Sequence, residues 1–343
     1  MLKKNKYFNA LIMPLAWLAL IFLASCAGGE PGQAAPEPET GAPPENPNGE
    51  NAKITEPVEP VKFIEVIADP EFKNGFICGG ATHEDGIIGE LTSPVSAGAP
   101  SWKIAQWACR YDISKGAYAA DGGGYSYITE SQKVAVSWRE GEPLLTLELK
   151  ASKEYDAPRI SWQPWPHLLI EQTDLAARCP DLDKLERLDL ILDTRIAYCD
   201  SYMDNADPGL HAAQVTLFFT VQSSGTGDMY WFGVPIFDNR QRLLPEYMAE
   251  DSGKDDASHK FIYTVAQKEF TRTSAREFTR LRYEADLLPY IKKGLERAYK
   301  AGYLNSNDIA DYTLTTCNLG YELPGTYDSA FELYSFTLGA VLK

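Results

Sequence analysis

Trp162, Trp165, His167 and Glu171 put two indoles, an imidazole and a carboxyl within ten residues. A sugar ring presents one face of C–H bonds and a rim of hydroxyls. A carbohydrate site therefore needs flat aromatic platforms with hydrogen-bonding groups beside them. On an extended chain Trp165, His167 and Leu169 share one face, and Pro164 and Pro166 hold the backbone open. The same residues also suit a core in which both indoles pack and His167 is a hydrogen-bonded structural group. A second cluster comprises Tyr230, Trp231, Asp238, Asn239 and Arg240. Tyr230 and Trp231 point to opposite faces of a strand, so only one of them can meet a ligand; Trp231, Asp238 and Arg240 are the binding candidates. Asp and Asn are equally at home in a turn.

Cleavage asks more than binding. A glycosidase needs two carboxyls about 5–5.5 Å apart for retention or about 6.5–9.5 Å for inversion. Asp189 and Asp193 share a strand face but stand about 13 Å apart at strand rise, which is too far. A lyase acting on uronates needs a base and a cation to neutralise the carboxylate. His167 or His211 would be the base, and Arg280 and Arg282, two residues apart in the one basic stretch of the chain, the cation. Such a stripe also reads as a solvated strand face. Asp200, Asp204, Asn205 and Asp207 gather oxygen ligands suited to a structural Ca²⁺, at a spacing unlike that of EF-hands. Neither a Gly-x-Ser-x-Gly elbow nor a phosphate-cradling glycine loop with its lysine is present.

The elements that must position these groups are mostly strands. Alternating or continuous apolar runs predict strands over 133–138, 144–149, 188–193, 214–221, 230–237, 261–265, 277–283, 310–316 and 331–338. One helix interrupts them, over about 286–302. Asp286 is its cap, Pro289 falls in its first turn, Leu287, Leu288, Ile291, Leu295, Ala298 and Tyr299 recur at helical spacing, and Gly302 is its stop. Many short strands with one helix before the last two predict an all-β, two-sheet jelly-roll sandwich decorated by that helix. Beyond Cys26 the cysteines are Cys78, Cys109, Cys179, Cys199 and Cys317, an odd number that leaves at least one outside any intrachain disulfide.

The run 162–172 (Trp-Gln-Pro-Trp-Pro-His-Leu-Leu-Ile-Glu-Gln) and the closing run 318–331 resemble parts of secreted concanavalin-type jelly rolls. That resemblance implies a domain over 61–343 that binds or cleaves polysaccharide. The Glu-x-Asp-x-x-Glu and Glu-x-Asp-x-Glu strands of laminarinase-like hydrolases are absent, as is the Gln-Ile/Val-His strand of one alginate lyase family.

At the N-terminus, Lys3, Lys4 and Lys6 precede an apolar run from Ala10 to Leu23 and then Leu23-Ala24-Ser25-Cys26. A basic start, a short apolar core and small residues describe a secretory signal over 1–25. The last four residues resemble the lipobox of bacterial lipoproteins, in which the cysteine, here Cys26, is lipidated and becomes the mature N-terminus. Residues 26–60, rich in Pro, Glu and Gly and poor in aliphatic bulk, read as a disordered tether. The expected location is the exterior or periplasmic side of a bacterial membrane, held by the acyl anchor alone. A formal net charge of −16 repels phosphate backbones and anionic headgroups, so nucleic acid is not an expected partner. The leading expectation is carbohydrate binding. A jelly-roll lyase or hydrolase and a structural envelope protein are the alternatives.

Overall fold

The computed structural model describes residues 62–252 and 257–343. The leader, the lipobox with Cys26 and the tether lie outside the described residues. Two sheets make up the described part. The first contains β1 (Phe63–Glu65), β5 (Ala117–Asp121), β6 (Gly124–Ile128), β7 (Gln132–Arg139), β8 (Glu142–Lys150), β10 (Leu185–Ser201), β15 (Leu281–Asp286) and β17 (Tyr327–Leu342), in the order β15-β10-β17-β8-β7-β6-β5 with β1 on β17. The second contains β2 (Phe76–Gly79), β3 (Ile87–Leu91), β4 (Trp102–Ala105), β9 (His167–Gln172), β11 (Gln214–Ser223), β12 (Met229–Asp238), β13 (Tyr247–Glu250), β14 (Phe261–Thr264) and β16 (Tyr312–Glu322). Its order is β13-β14-β12-β11-β16-β9-β4-β2-β3. Pairing is antiparallel except between β2 and β4 and between β12 and β14.

Alternation explains the layering. Leu145, Leu147 and Leu149 of β8 and Phe331 and Leu333 of β17 turn inward from the first sheet, and all are fully buried. Leu217 and Phe219 of β11, Leu319 and Tyr321 of β16 and Leu168 and Ile170 of β9 meet them from the second. Ring pairs join the layers: Trp102 with Phe336 at 6.0 Å and Tyr321 with Phe331 at 6.4 Å. Each such side chain contributes roughly 1.5–3 kcal/mol by leaving water. The result is the all-β, two-sheet jelly-roll sandwich with one decorating helix that the sequence predicts.

That helix, α2 (Leu288–Lys300), follows the short α1 (Ala151–Glu154) in chain order. The Asp286 carboxylate accepts from Leu288 N at 3.0 Å and from Leu188 N at 2.9 Å, so it ties the helix start to β10 as well. Gly302, at φ +83°, turns the chain out, and Tyr303 N donates to Ala298 O while Gly302 N donates to Tyr299 O. That is the Schellman arrangement. Leu288, Ile291, Gly294, Leu295 and Ala298 are buried, and α2 packs on β12, β14 and β10. Tyr299, expected on the apolar side, is exposed.

One further expectation needs correction. Residues 277–280 are not strand, because Ser274 and Glu277 form a capping box around a short 3₁₀ turn, and Phe278 then takes a left-handed φ of +56°. The five cysteines among the described residues are all free, and burial raises each thiol; Cys199 rises to about 11 and Cys78, Cys179 and Cys317 to about 12. They pack as small apolar groups.

Gly294 tests the helix packing. A Cβ there would lie 2.7 Å from the Tyr263 ring and 2.8 Å from the Tyr230 ring, both buried. Helix propensity alone would make Gly294→Ala stabilising by about 0.8–1 kcal/mol. Overpacking costs about 1–3 kcal/mol and should win. Urea denaturation is expected to show a net loss of up to about 2 kcal/mol; a gain would mean that α2 is loosely seated.

Candidate functional site

Hydrogen-bond register lines up one row across the outer face of the second sheet. Lys103 pairs with Glu171, Glu171 with Asn318, Asn318 with Phe218, Phe218 with Gly233, and Gly233 with Thr264. Paired residues in a sheet share a face. The neighbouring row holds Thr316, Thr220, Trp231 and Ile262. On the other side a row runs His167, Glu322, Gln214, Asp238. His167 and Glu171 of the first cluster and Trp231 and Asp238 of the second, some seventy residues apart in sequence, therefore share one face of one sheet.

Its centre is an aromatic shelf. Phe218 lies across Gly233, where a Cβ would come within 2.8 Å of the phenyl ring, so the missing side chain makes the room. Trp231 stands beside it with ring centroids 6.4 Å apart, its Nε1 donating to Ser258 Oγ at 3.0 Å. Both rings are half-buried, as is Asn318. The Thr220 and Thr316 hydroxyls bond each other at 2.6 Å. Tyr230, on the opposite face, is fully buried and donates to Ile291 O at 2.6 Å.

Glu171 stands between Lys103 and Asn318 in the central row. Burial pushes its carboxyl above the usual carboxylate range, and Lys103 Nζ at 3.1 Å offsets only part of that. Gly320 lets β9 lie close to β16: at φ +152° it brings its would-be Cβ to 2.2 Å from Leu168 O.

Several expected site residues turn out to be braces. His167 is buried; its Nδ1 donates to Trp165 O at 2.6 Å and its Nε2 faces Glu322 Oε2 at 3.9 Å. It is a positioned core group and not an accessible base or sugar ligand. Trp165 is half-buried under the Arg159 guanidinium, 5.3 Å from the ring centroid, which denies that face to a sugar. Trp162 is the opposite case. It is 60% exposed at a turn, with a left-handed φ of +66° that a bulky side chain rarely adopts. Asp238 is 2% exposed and accepts from Arg240 Nε at 2.9 Å, Arg240 Nη2 at 2.6 Å and Gln214 Nε2 at 3.0 Å. Arg240 also donates to Pro208 O at 2.8 Å. The pair fastens a loop and leaves little for a ligand.

The expected lyase site is not assembled. His211 is buried, its Nδ1 accepting from Asp207 N at 3.0 Å and its Nε2 donating to Arg159 O at 2.8 Å, so both ring nitrogens are engaged. Arg280 directly precedes β15 of the first sheet, held by both Asp193 oxygens at 2.7 Å and lying 4.1 Å over Tyr334, and Arg282 of β15 pairs with Glu284 at 3.2 Å. Neither arginine stands on the sheet that carries His167. Among the described residues no group of three or more His, Cys, Asp or Glu is placed to hold a metal, so Asp200, Asp204 and Asp207, with Asn205, form no Ca²⁺ cage. The Asp207 carboxylate instead accepts from Gly209 N at 2.8 Å.

Nor do the described residues of β9, β16, β11 and β12 offer a free hydrolytic pair. On this face β9, β16, β11 and β12 carry Glu171, Glu322 and Asp238. Glu322 sits opposite His167, four residues from Glu171, so those two stand about 13 Å apart along the strands. Retention and inversion both need less than about 10 Å. Asp238 is nearer to Glu322 but is consumed by Arg240. The sequence reading missed Phe218, Asn318 and Lys103. The signal for Phe218 was the run Thr-Leu-Phe-Phe-Thr over 216–220, in which one aromatic shares the parity of two threonines.

No protein-family model matches the chain, and no curated protein is detectably similar to it in sequence. Among solved structures, a family 12 xyloglucanase from Bacillus licheniformis is 7% identical, with 68% of this chain and 98% of the other covered and a TM-score of 0.38. The catalytic domain of Cel12A from Humicola grisea is 10% identical, with 67% and 97% covered and a TM-score of 0.35. A family 11 xylanase from Neocallimastix patriciarum is 11% identical, with 66% and 91% covered and a TM-score of 0.27. At such scores and identities these likenesses carry no argument about what this chain binds or does.

The Asp238–Arg240 brace makes a pH prediction. Burial works to raise the Asp238 carboxyl, but its bonds from Arg240 and Gln214 win and hold it below the usual range. A lowered folded pKa gives stability that is present above the unfolded value, about 3.9, and lost as pH falls through the folded one. Asp238→Asn should therefore cost about 3–5 kcal/mol at pH 7, the usual loss on breaking a buried pair. In urea titrations the gap from wild type should narrow as pH drops below about 4. A gap that stays constant down to pH 2 would mean that the pair is not what holds the loop.

Proposed function

We propose that the chain is an exported bacterial lipoprotein that binds carbohydrate through the outer face of its second sheet. The observation that carries the binding is the half-buried Phe218–Trp231 shelf with Asn318, the Thr220–Thr316 pair and the Lys103–Glu171 pair in the same and the adjoining row. The rings offer a sugar its apolar platform, and the amide, hydroxyls and ion pair meet the hydroxyl rim. Trp162, exposed on its turn, adds a third ring to the same reading. Binding is favoured over cleavage because, among the described residues of this face, Glu171 stands too far from Glu322 and Asp238 is held by Arg240, and because His167 and His211 are buried with their ring nitrogens engaged. Attachment to the membrane rests on Leu23-Ala24-Ser25-Cys26, with diacylated Cys26 as the anchor. The acidic balance of the chain favours neutral glycans over uronans.

Affinity electrophoresis and titration against a panel of neutral and acidic polysaccharides test the reading. Trp231→Ala and Phe218→Ala should each weaken binding about tenfold, the equivalent of about 1.4 kcal/mol, with unchanged far-UV dichroism. Unaltered affinity in both folded variants would place recognition elsewhere. A wild-type protein that retains no glycan would leave the envelope-scaffold alternative.

A further inference from the structure

A cavity of about 430 Å³ opens at the end of the first sheet and shares no lining residue with the aromatic shelf. Lys153, Asp156 and Pro158 line it from the segment that leaves β8, and Tyr202, Thr326 and Asp328 from the chain after β10 and at the start of β17. Its size falls in the range of small-molecule sites, about 300–1,000 Å³.

Three observations argue that it is built to receive something. Tyr202 is 61% exposed, a large ring left in water at the cavity mouth. The walls are braced: Tyr202 N donates to Thr326 O at 2.9 Å, and Ser152 gives Asp328 two bonds, from N at 3.1 Å and from Oγ at 3.0 Å. The same bracing continues to the turn that carries Trp162, since Tyr155 donates to Pro164 O at 2.8 Å and Arg159 to Leu210 O at 3.0 Å. Walls fixed beforehand lose little freedom when a ligand arrives.

The lining offers the Tyr202 ring, the Lys153 ammonium, the Asp156 carboxylate with one oxygen held by Arg110 Nη1 at 3.0 Å, and the Thr326 hydroxyl, which donates to Tyr202 O at 3.5 Å; Ser152 takes both oxygens of Asp328. That is the pairing of platform and hydrogen-bonding rim that a sugar requires. An anionic ligand would meet the two lining aspartates and the net negative chain. We infer that this cavity is a second saccharide subsite, in which a neutral sugar ring stacks on Tyr202 and hydrogen-bonds Lys153, Asp156 and Thr326. The inference rests on the carbohydrate reading above and adds a consequence. A polymer long enough to engage both subsites gains from effective concentration, whereas a short oligosaccharide does not.

Calorimetric titration of the full chain with cellohexaose, xylohexaose and mannohexaose, and with hydroxyethyl cellulose, arabinoxylan and galactomannan, decides the matter. For the sugar that binds, wild type should hold the polymer at least about tenfold more tightly than the hexasaccharide. Tyr202→Ala should bring the polymer affinity down toward that of the hexasaccharide, whereas Tyr202→Phe should not, because the ring survives. A polymer affinity indifferent to Tyr202→Ala, or no advantage of polymer over hexasaccharide in wild type, overturns the subsite and leaves the sheet-face reading standing. Absence of binding by wild type to every sugar in the panel overturns both.

Discussion

The pairing register of β9, β16, β11 and β12 decides which side chains the second sheet can offer to a ligand. Along a strand successive residues face opposite ways, so a slip of one position would bury Phe218, Asn318 and Trp231 and expose Leu217, Leu319 and Tyr230. The core forbids that slip. Leu217, Phe219, Leu319 and Tyr321 are fully buried against the first sheet, and Tyr230 donates into the backbone of α2. The shelf on the outer face is thus held by the apolar residues on the inner one.

A second layer of constraint comes from polar groups that the chain spends on its own loops. Asp238 and Arg240 fasten the exit of β12 to residue 208, His211 and Arg159 lock two loops together, and His167 holds the entry to β9. Buried groups of this kind are costly unless every bond is made, which is why they appear in pairs and chains. They free the half-exposed residues from structural duty. Trp162 shows the result: its turn is clamped at Arg159 and Gln163, where Arg159 Nε donates to Gln163 O at 2.8 Å, and the indole is left outside.

Much of the fold was legible in the sequence, and the site was legible only in part. Alternation marked β7 and β8, a nearly continuous apolar run marked β11 with β12 at hairpin distance, and the helix could be read from Asp286, Pro289 and Gly302. Strands β2, β3 and β4 were too short to show a period, and β9 is buried on both faces, so His167–Gln172 has no polar alternation to betray it. For the site, residue type singled out Trp162 and Trp231, which the fold leaves exposed and half-buried, but could not tell a ligand-facing polar group from a brace. His167, His211, Asp238 and Arg240 have the chemistry of a site and the partners of a scaffold, and only partners separate the two. Phe218 went unseen because it sits in a continuous apolar run, where one outward ring is indistinguishable from its inward neighbours until pairing is known.

The central claim is that glycan contacts fall on the outer face of the second sheet. Indole N–H resonances of the chain, followed by nuclear magnetic resonance during titration with a bound neutral polysaccharide fragment, test it most directly. The account predicts that the Trp231 signal moves with the first equivalents added while that of Trp102, fully buried between the sheets, stays in place. An unmoved Trp231 signal at saturation, with shifts gathered on other surfaces, would contradict it.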